Sequence, residues 1–263
     1  MYEPDPRDGR SGGLAAATRN RFFHGQLLGV HNFELETDYT IHQRRLLNRL
    51  VLGYGVVCGL NVELVRDGTA VVIWPGLAIN RRGEEIVVSQ RTQPIPIPDE
   101  VLRGAVERAR DRKSDPCVQV LICYHECYGD PAPVLAGDCS LPDPCTPSTI
   151  REQYRVEFRE SCTDKPEPRC NIPDLISGDR IDHDALVKWV TRERSCARLP
   201  GDPCVPLANL PVLDPDHPYC DPGGVDIGVR PVLASNIVLM ELVLALLEDL
   251  RASRESRYDR GER

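Results

Sequence analysis

Cysteine is the residue type with the most potential for chemistry in this 263-residue chain, because a thiolate binds metals, forms disulfides and acts as a nucleophile. The chain has 11 cysteines, an odd number that leaves at least one thiol outside any internal pairing. Cys127, Cys139 and Cys145 flank a segment rich in proline and aspartate. Such a segment can fold back and bring thiolates to the spacing of about 4 Å that a shared zinc ion requires. We therefore predict a structural zinc bound by these three residues and a distant fourth ligand.

Two other fates of the thiols remain open. Disulfides would staple the two proline- and cysteine-rich segments, residues 129–149 and 161–224, or the thiols would be scattered and free. Both segments have few apolar residues to offset an ordering cost of roughly 1–2 kcal/mol per residue. A cross-link, a metal or a partner subunit must therefore hold them. Cys123 cannot join Cys127 at one metal, because strand residues four apart are separated by about 13 Å.

No catalytic or cofactor-binding residues are predicted from the remaining motifs. The glycines at 53–59 suggest a dinucleotide loop, but they follow a helix and precede a strand, which reverses the Rossmann order. His42 lies on the apolar stripe of a predicted helix and is more typical of a packed residue than of a ligand. A nucleophile–base pair cannot be chosen, because such sites are defined by geometry. We therefore predict that the protein is not an enzyme.

Two other functions are compatible with parts of the sequence. A zinc-dependent hydrolase acting on cell-wall material would place its metal near Cys127 and His125, with Glu126 as the general base. On a strand, however, Glu126 and Cys127 point to opposite faces. A secreted, disulfide-stapled binding module is disfavoured, because residues 1–13 contain acidic side chains and no apolar signal-peptide core.

Charge and hydropathy limit the kinds of partner that the chain can bind. A net charge of -8 and an isoelectric point near 5.3 argue against nucleic-acid binding. The longest apolar run, residues 237–247, contains Glu241 and is too short to span a bilayer, so we expect no direct membrane insertion. We expect assembly in the cytoplasm, with presence in a released extracellular particle as a further possibility.

Hydrophobic periodicity predicts an α+β fold in which an N-terminal helix packs on small antiparallel β-sheets. A helix capped by Asn32 has a buried stripe of Leu35, Tyr39, His42, Leu46 and Leu50. Short strands follow, the first over Val56–Val65, and Asp67-Gly68 marks a hairpin turn. We predict a flexible N-terminal arm over 1–20, a core domain over 21–160, a Cys/Pro-rich loop region with one short helix over 161–232, and a C-terminal helix and tail over 233–263.

The long C-terminal helix is predicted to be amphipathic. Ile237, Met240, Leu244 and Leu247 fall on one face, while Glu241 and other charged residues occupy the opposite side. Either this helix closes the core of its own domain, or it docks on a partner subunit. The apolar surface is wide enough that both interpretations stay open.

Several segments resemble a known group of proteins. They are FFHGQLL at 22–28, NFELETDY at 32–39, RRLLNRLVLGYGVVCGL at 44–60, PGLAINRRGEEIVV at 75–88 and STIREQYRVEF at 148–158. The pattern resembles an uncharacterised baseplate-associated protein family of phage-tail-like contractile injection systems. The resemblance implies a structural subunit, baseplate-associated or peripheral, with other particle subunits as partners in a homo- or hetero-oligomer. It carries no catalytic residues across.

Overall fold

The computed structural model describes residues 16–112, 114–133, 145–166, 176–177, 180–193 and 201–261. It contains helices and small antiparallel sheets, which confirms the predicted mixed class. The helices are α1 (Val30–Leu47), α2 (Asp99–Arg112), α3 (His183–Lys188) and α4 (Asn236–Gly261), with π-helical turns at Asn48–Leu52 and Trp189–Glu193. The strands are β1 (Gly55–Gly59), β2 (Val62–Val65), β3 (Ala70–Ile73), β4 (Gly76–Ile79), β5 (Glu85–Val88), β6 (Ile95–Pro96), β7 (Cys117–Pro133), β8 (Cys145–Arg159), β9 (Ile176–Ser177), β10 (Arg180–Ile181), β11 (Val205–Leu213) and β12 (Tyr219–Cys220).

Two three-stranded sheets follow α1, in the orders β1-β4-β5 and β2-β3-β6. The prediction of a single strand over Val56–Val65 is wrong. The strand is interrupted at Leu60, whose φ of 57° lies in the left-handed region. β1 and β2 therefore belong to different sheets. Gly59, just before the break, has a φ of 64°, and a Cβ there would collide with the backbone of Pro75 and Gly76.

A four-stranded antiparallel sheet in the order β12-β11-β7-β8 supplies much of the core. One face of β7 carries Val118, Val120 and Ile122, which are fully buried. They pack in a single cluster with Leu207 and Leu210 of β11. Beyond Tyr124 most side chains of β7 are exposed, as are those of β8 before Tyr154, so the distal part of this hairpin projects from the sheet.

The interpretation of residues 161–232 as loops with one short helix is wrong for β11, which lies at the centre of the core sheet. Pro206 and Pro211 hide this strand in the sequence, because proline removes a ladder hydrogen bond and usually marks an edge or a bulge. A bulge between Pro206 and Ala208 accommodates the first of them. The predicted division into domains itself stays a prediction.

The predicted buried stripe of α1 is also corrected. No residue of the helix is buried; Leu35, Tyr39 and Leu46 are half-exposed, and His42 is exposed. The helix begins after Gly29, whose N–H donates a 3.0 Å hydrogen bond to Oδ1 of Asn32, so Asn32 caps from inside the first turn. Leu35, Tyr39 and Leu46 are thus partly covered, but none of them belongs to the buried core.

Among the described residues, two disulfides tie the segments after β8 and before β11 to strand β7 of the core sheet. Cys117, at the start of β7, is bonded to Cys162 after β8, and Cys123 is bonded to Cys204 just before β11. Closing loops of this length stabilises a fold by roughly 4 kcal/mol each in the chain-entropy account. The disulfide alternative is therefore the one that the structure supports for these four cysteines.

Candidate functional site

The predicted zinc ligands do not meet among the described residues. Cys127 lies opposite Arg151 on the β7–β8 hairpin, and Cys145 lies opposite Pro133. Six residues along a strand separate these positions by about 20 Å, so Cys127 and Cys145 are not brought together. Cys139 lies outside the described residues. A zinc ion held by all three stays a prediction.

The residues named for the hydrolase alternative have other partners. Glu126 accepts a 2.7 Å hydrogen bond from the hydroxyl of Tyr124 and forms an ion pair with Arg45 at 3.3 Å. These contacts give the carboxylate of Glu126 a structural role. His125 lies across from Gln153, and the thiol of Cys127 is 3.5 Å from the amide oxygen of that glutamine.

The structure exposes an apolar segment that leads into α1. A turn holds it: the N–H of Gln26 donates to the carbonyl of Phe23, and Gly25 takes a φ of 83° that favours glycine. Six large side chains in and after this turn are 46–92% exposed. They are Phe22, Phe23, Leu27, Leu28, Val30 and Phe33, and we call them the N-terminal apolar patch. The core domain predicted over 21–160 includes this stretch, and nothing in the sequence analysis identified it as an exposed patch.

Helix α4 exposes a second apolar surface. Nine large side chains between Ile237 and Leu247 are 40–66% exposed: Ile237, Val238, Leu239, Met240, Leu242, Val243, Leu244, Leu246 and Leu247. They surround the helix almost completely and leave one narrow polar strip that carries Glu241 and Glu248. A helix that is apolar all round is typical of a buried position. The exposed apolar surface is therefore wider than the single face predicted from the sequence, and the amphipathic character of the whole helix stays a prediction.

The C-terminal end of α1 and the segment before α4 are attached to the same part of the fold. The π-helical turn that ends α1 runs through Gly53 into Gly55, where β1 begins. Val56 donates its N–H to the carbonyl of Pro231 at 2.8 Å and accepts a 3.0 Å bond from the N–H of Leu233. Helix α4 starts three residues after Leu233. The start of β1 therefore anchors both helices.

Arg45 attaches the end of α1 to the body of the protein. Its guanidinium lies 3.5 Å from Glu84 and 5.3 Å from the centre of the Tyr124 ring, in addition to its ion pair with Glu126. Burial alone would lower the pKa of Arg45, but the carboxylates of Glu84 and Glu126 raise it above its ordinary value. Burial, and then the hydrogen bond to Glu126, raises the pKa of Tyr124. Arg45 therefore keeps its positive charge at any physiological pH.

Replacing Arg45 with glutamine is expected to loosen α1 from the body. The loss of a half-buried cation from two carboxylates and an aromatic ring should lower the free energy of unfolding by about 1–2 kcal/mol, between the values for exposed and buried pairs. Denaturant unfolding measures this loss, and limited proteolysis should show faster cutting within α1. Arg112→Gln, at an exposed position at the end of α2, is the control. Equal stabilities of the two variants would contradict this assignment.

Of the helices in the part of the chain that the structure describes, none combines the length and the apolar character that crossing a membrane requires.

No protein-family model matches the sequence, and no curated protein does. Solved structures of type VI secretion baseplates are similar in part. The baseplate complex from the type VI secretion system is 12% identical over 92% of this chain and 69% of its own, with a TM-score of 0.39. A TssK-TssF-TssG baseplate subcomplex is 12% identical over 92% and 71%, with a TM-score of 0.40. TssK is 10% identical over 78% and 41%, with a TM-score of 0.32. Scores of this size do not establish a shared fold.

Proposed function

We propose that this chain is a non-enzymatic structural subunit of a phage-tail-like contractile injection particle, at the baseplate or on the particle's periphery. The resemblance of five sequence segments to baseplate-associated proteins of such systems supports the kind of particle. The observation that carries the structural role is the apolar surface of α4, which this chain does not bury.

The exposed surface of α4 is too apolar to face water permanently. Single exposed leucines are normal on protein surfaces, but contiguous apolar patches mark places where another molecule binds. Covering one leucine-sized side chain contributes about 1.5–3 kcal/mol, so the nine exposed side chains of α4 provide a large driving force for association. Other subunits of the particle are the proposed partners.

The N-terminal apolar patch is a second exposed apolar surface, which we propose is also covered by other subunits of the particle. The body of the protein, with the two disulfides of its described residues and its buried core, would act as a rigid base for these contacts. We propose that this assembly takes place in the cytoplasm.

Electron microscopy of particles from a strain that lacks this chain tests the proposal. We expect damaged or missing baseplates, and we expect the wild-type protein to co-migrate with particles on a density gradient. A strain complemented with the wild-type sequence is the control, and it should restore both properties. Intact baseplates with unchanged composition in the deletion strain would contradict the proposal.

A further inference from the structure

The environment of the Cys123–Cys204 disulfide has the composition of a metal site. The two cysteines face each other across β7 and the start of β11, with Cα atoms 4.4 Å apart, the spacing of a non-hydrogen-bonded antiparallel pair. Glu157 of β8 lies diagonally across from Cys123 on the same face of the sheet. The two sulfurs and a Glu157 oxygen all lie within 4.8 Å of one another.

We propose that Cys123, Cys204 and Glu157 form a zinc site when the disulfide is reduced, so that the redox state selects between a covalent cross-link and a bound metal. Zinc binds thiolate sulfur at about 2.3 Å and carboxylate oxygen at about 2.0–2.2 Å, with four ligands in a tetrahedron. Two thiolates on one zinc ion are about 4 Å apart, which reduced sulfurs reach by small side-chain rotations. A water molecule would be the fourth ligand.

The carboxylate of Glu157 is already oriented for this role. Its Oε1 accepts a hydrogen bond of 3.1 Å from Nε of Arg155, which fixes the side chain. Its Oε2 lies 4.0 Å from Sγ of Cys204 and faces the disulfide. Outer groups that hold a ligand in this way raise metal affinity, because the ligand loses little freedom on binding.

The charges around the site favour a divalent cation. Arg159 lies 3.5 Å from Glu157, but it is also paired with Asp202. Two guanidinium groups, from Arg155 and Arg159, thus balance the two carboxylates. The two thiolates that reduction produces leave a net charge of two negative units, which one zinc ion neutralises.

A dithiol can act as the reductant that opens the Cys123–Cys204 disulfide. The dithiol transfers two electrons and two protons to the Cys123–Cys204 bond and leaves as its own disulfide. Zinc then displaces the two thiol protons to solvent without changing its own oxidation state. A small-molecule disulfide reverses both steps: it accepts two electrons from the thiolates and two protons from solvent, leaves as a dithiol, and the zinc ion is released.

The test uses the full chain, reduced with a phosphine, freed of reductant under anaerobic conditions and given one equivalent of zinc. Iodoacetamide then labels accessible thiols, and mass spectrometry reports which cysteines zinc protects. We expect zinc to slow the labelling of Cys123 and Cys204 at least tenfold. Glu157→Gln, which keeps both thiols and the shape of the side chain, should weaken zinc affinity by tenfold or more. Cys58→Ser, at an exposed cysteine that lies in a different sheet, should change neither result.

Two outcomes would overturn the proposal. In the first, the reduced protein binds less than about a tenth of an equivalent of zinc. In the second, zinc protects Cys127 and Cys145 but leaves Cys123 and Cys204 open to labelling, which would favour the site predicted from the sequence. Equal zinc affinities of the wild type and Glu157→Gln would remove Glu157 from the ligand set and contradict the proposed geometry.

Discussion

Glutamate at Leu239, Val243 and Leu246 together is expected to abolish the assembly of this chain into its particle. These residues lie three and four positions apart, so they share one face of α4, and each is about half exposed in the isolated chain. Complete burial of such a side chain contributes about 1.5–3 kcal/mol, so covering its exposed half contributes about 1 kcal/mol, and the loss of three such contacts should weaken association by about 100-fold. Burial of the unpaired carboxylates adds to this loss. Co-sedimentation of the variant with purified particles measures the effect.

Ala245→Glu is the matched control for this experiment. Ala245 follows Glu241 by four residues and precedes Glu248 by three, so it lies on the polar strip of α4. The control adds the same chemical group to the same helix on the side that does not need covering. We expect it to assemble like the wild type. Normal assembly of the triple variant would show that this face of α4 makes no contact in the particle.

Gly55→Ala is expected to detach α4 from the body of the protein. Gly55 has a φ of 137°, and a Cβ there would lie 2.7 Å from the carbonyl carbon of Pro231 and 3.0 Å from the nitrogen of Leu233. The clash should break the two hydrogen bonds between Val56 and this segment, each contributing about 1 kcal/mol, and backbone strain adds about 1–3 kcal/mol. We expect a loss of about 3 kcal/mol in stability and a fall of roughly 6–12 °C in Tm.

Thermal unfolding and limited proteolysis measure this change, with new cutting expected between residues 221 and 235. Gly201→Ala is the control, because a Cβ at Gly201 meets no atom within 4 Å. It should melt within a degree or two of the wild type. Equal melting temperatures for the two alanine variants would mean that the Gly55 contact does not anchor α4.

Some elements are determined by residues that are close in the sequence, and these can be predicted from it. Acidic residues in the first turn of α2 and basic residues in its last turn complement the helix dipole and are visible in the sequence, and α2 spans Asp99–Arg112. The Asp67-Gly68 turn was equally clear, and Val65 pairs with Ala70 across it. In both cases the residues that decide the structure lie within a few positions of one another.

Elements that depend on distant partners were not predictable in the same way. β11 is defined by its pairing with β7, whose paired residues lie 83 to 94 positions earlier in the sequence, and its prolines argue locally against a strand. The partner of Cys123 is Cys204, 81 residues away, and no spacing rule connects them. The stripe of α1 showed that a surface must be covered, but periodicity does not reveal whether the covering residues belong to the same chain.

A density map of the intact contractile particle, with this chain located in it, tests the central claim most directly. We predict that other subunits cover the residues of α4 from Ile237 to Leu247 and the N-terminal apolar patch. The side chains of Leu239 and Val243 should then be buried, although both are about half exposed in the isolated chain. A particle from which the chain is absent, or in which both surfaces face solvent, would contradict the account.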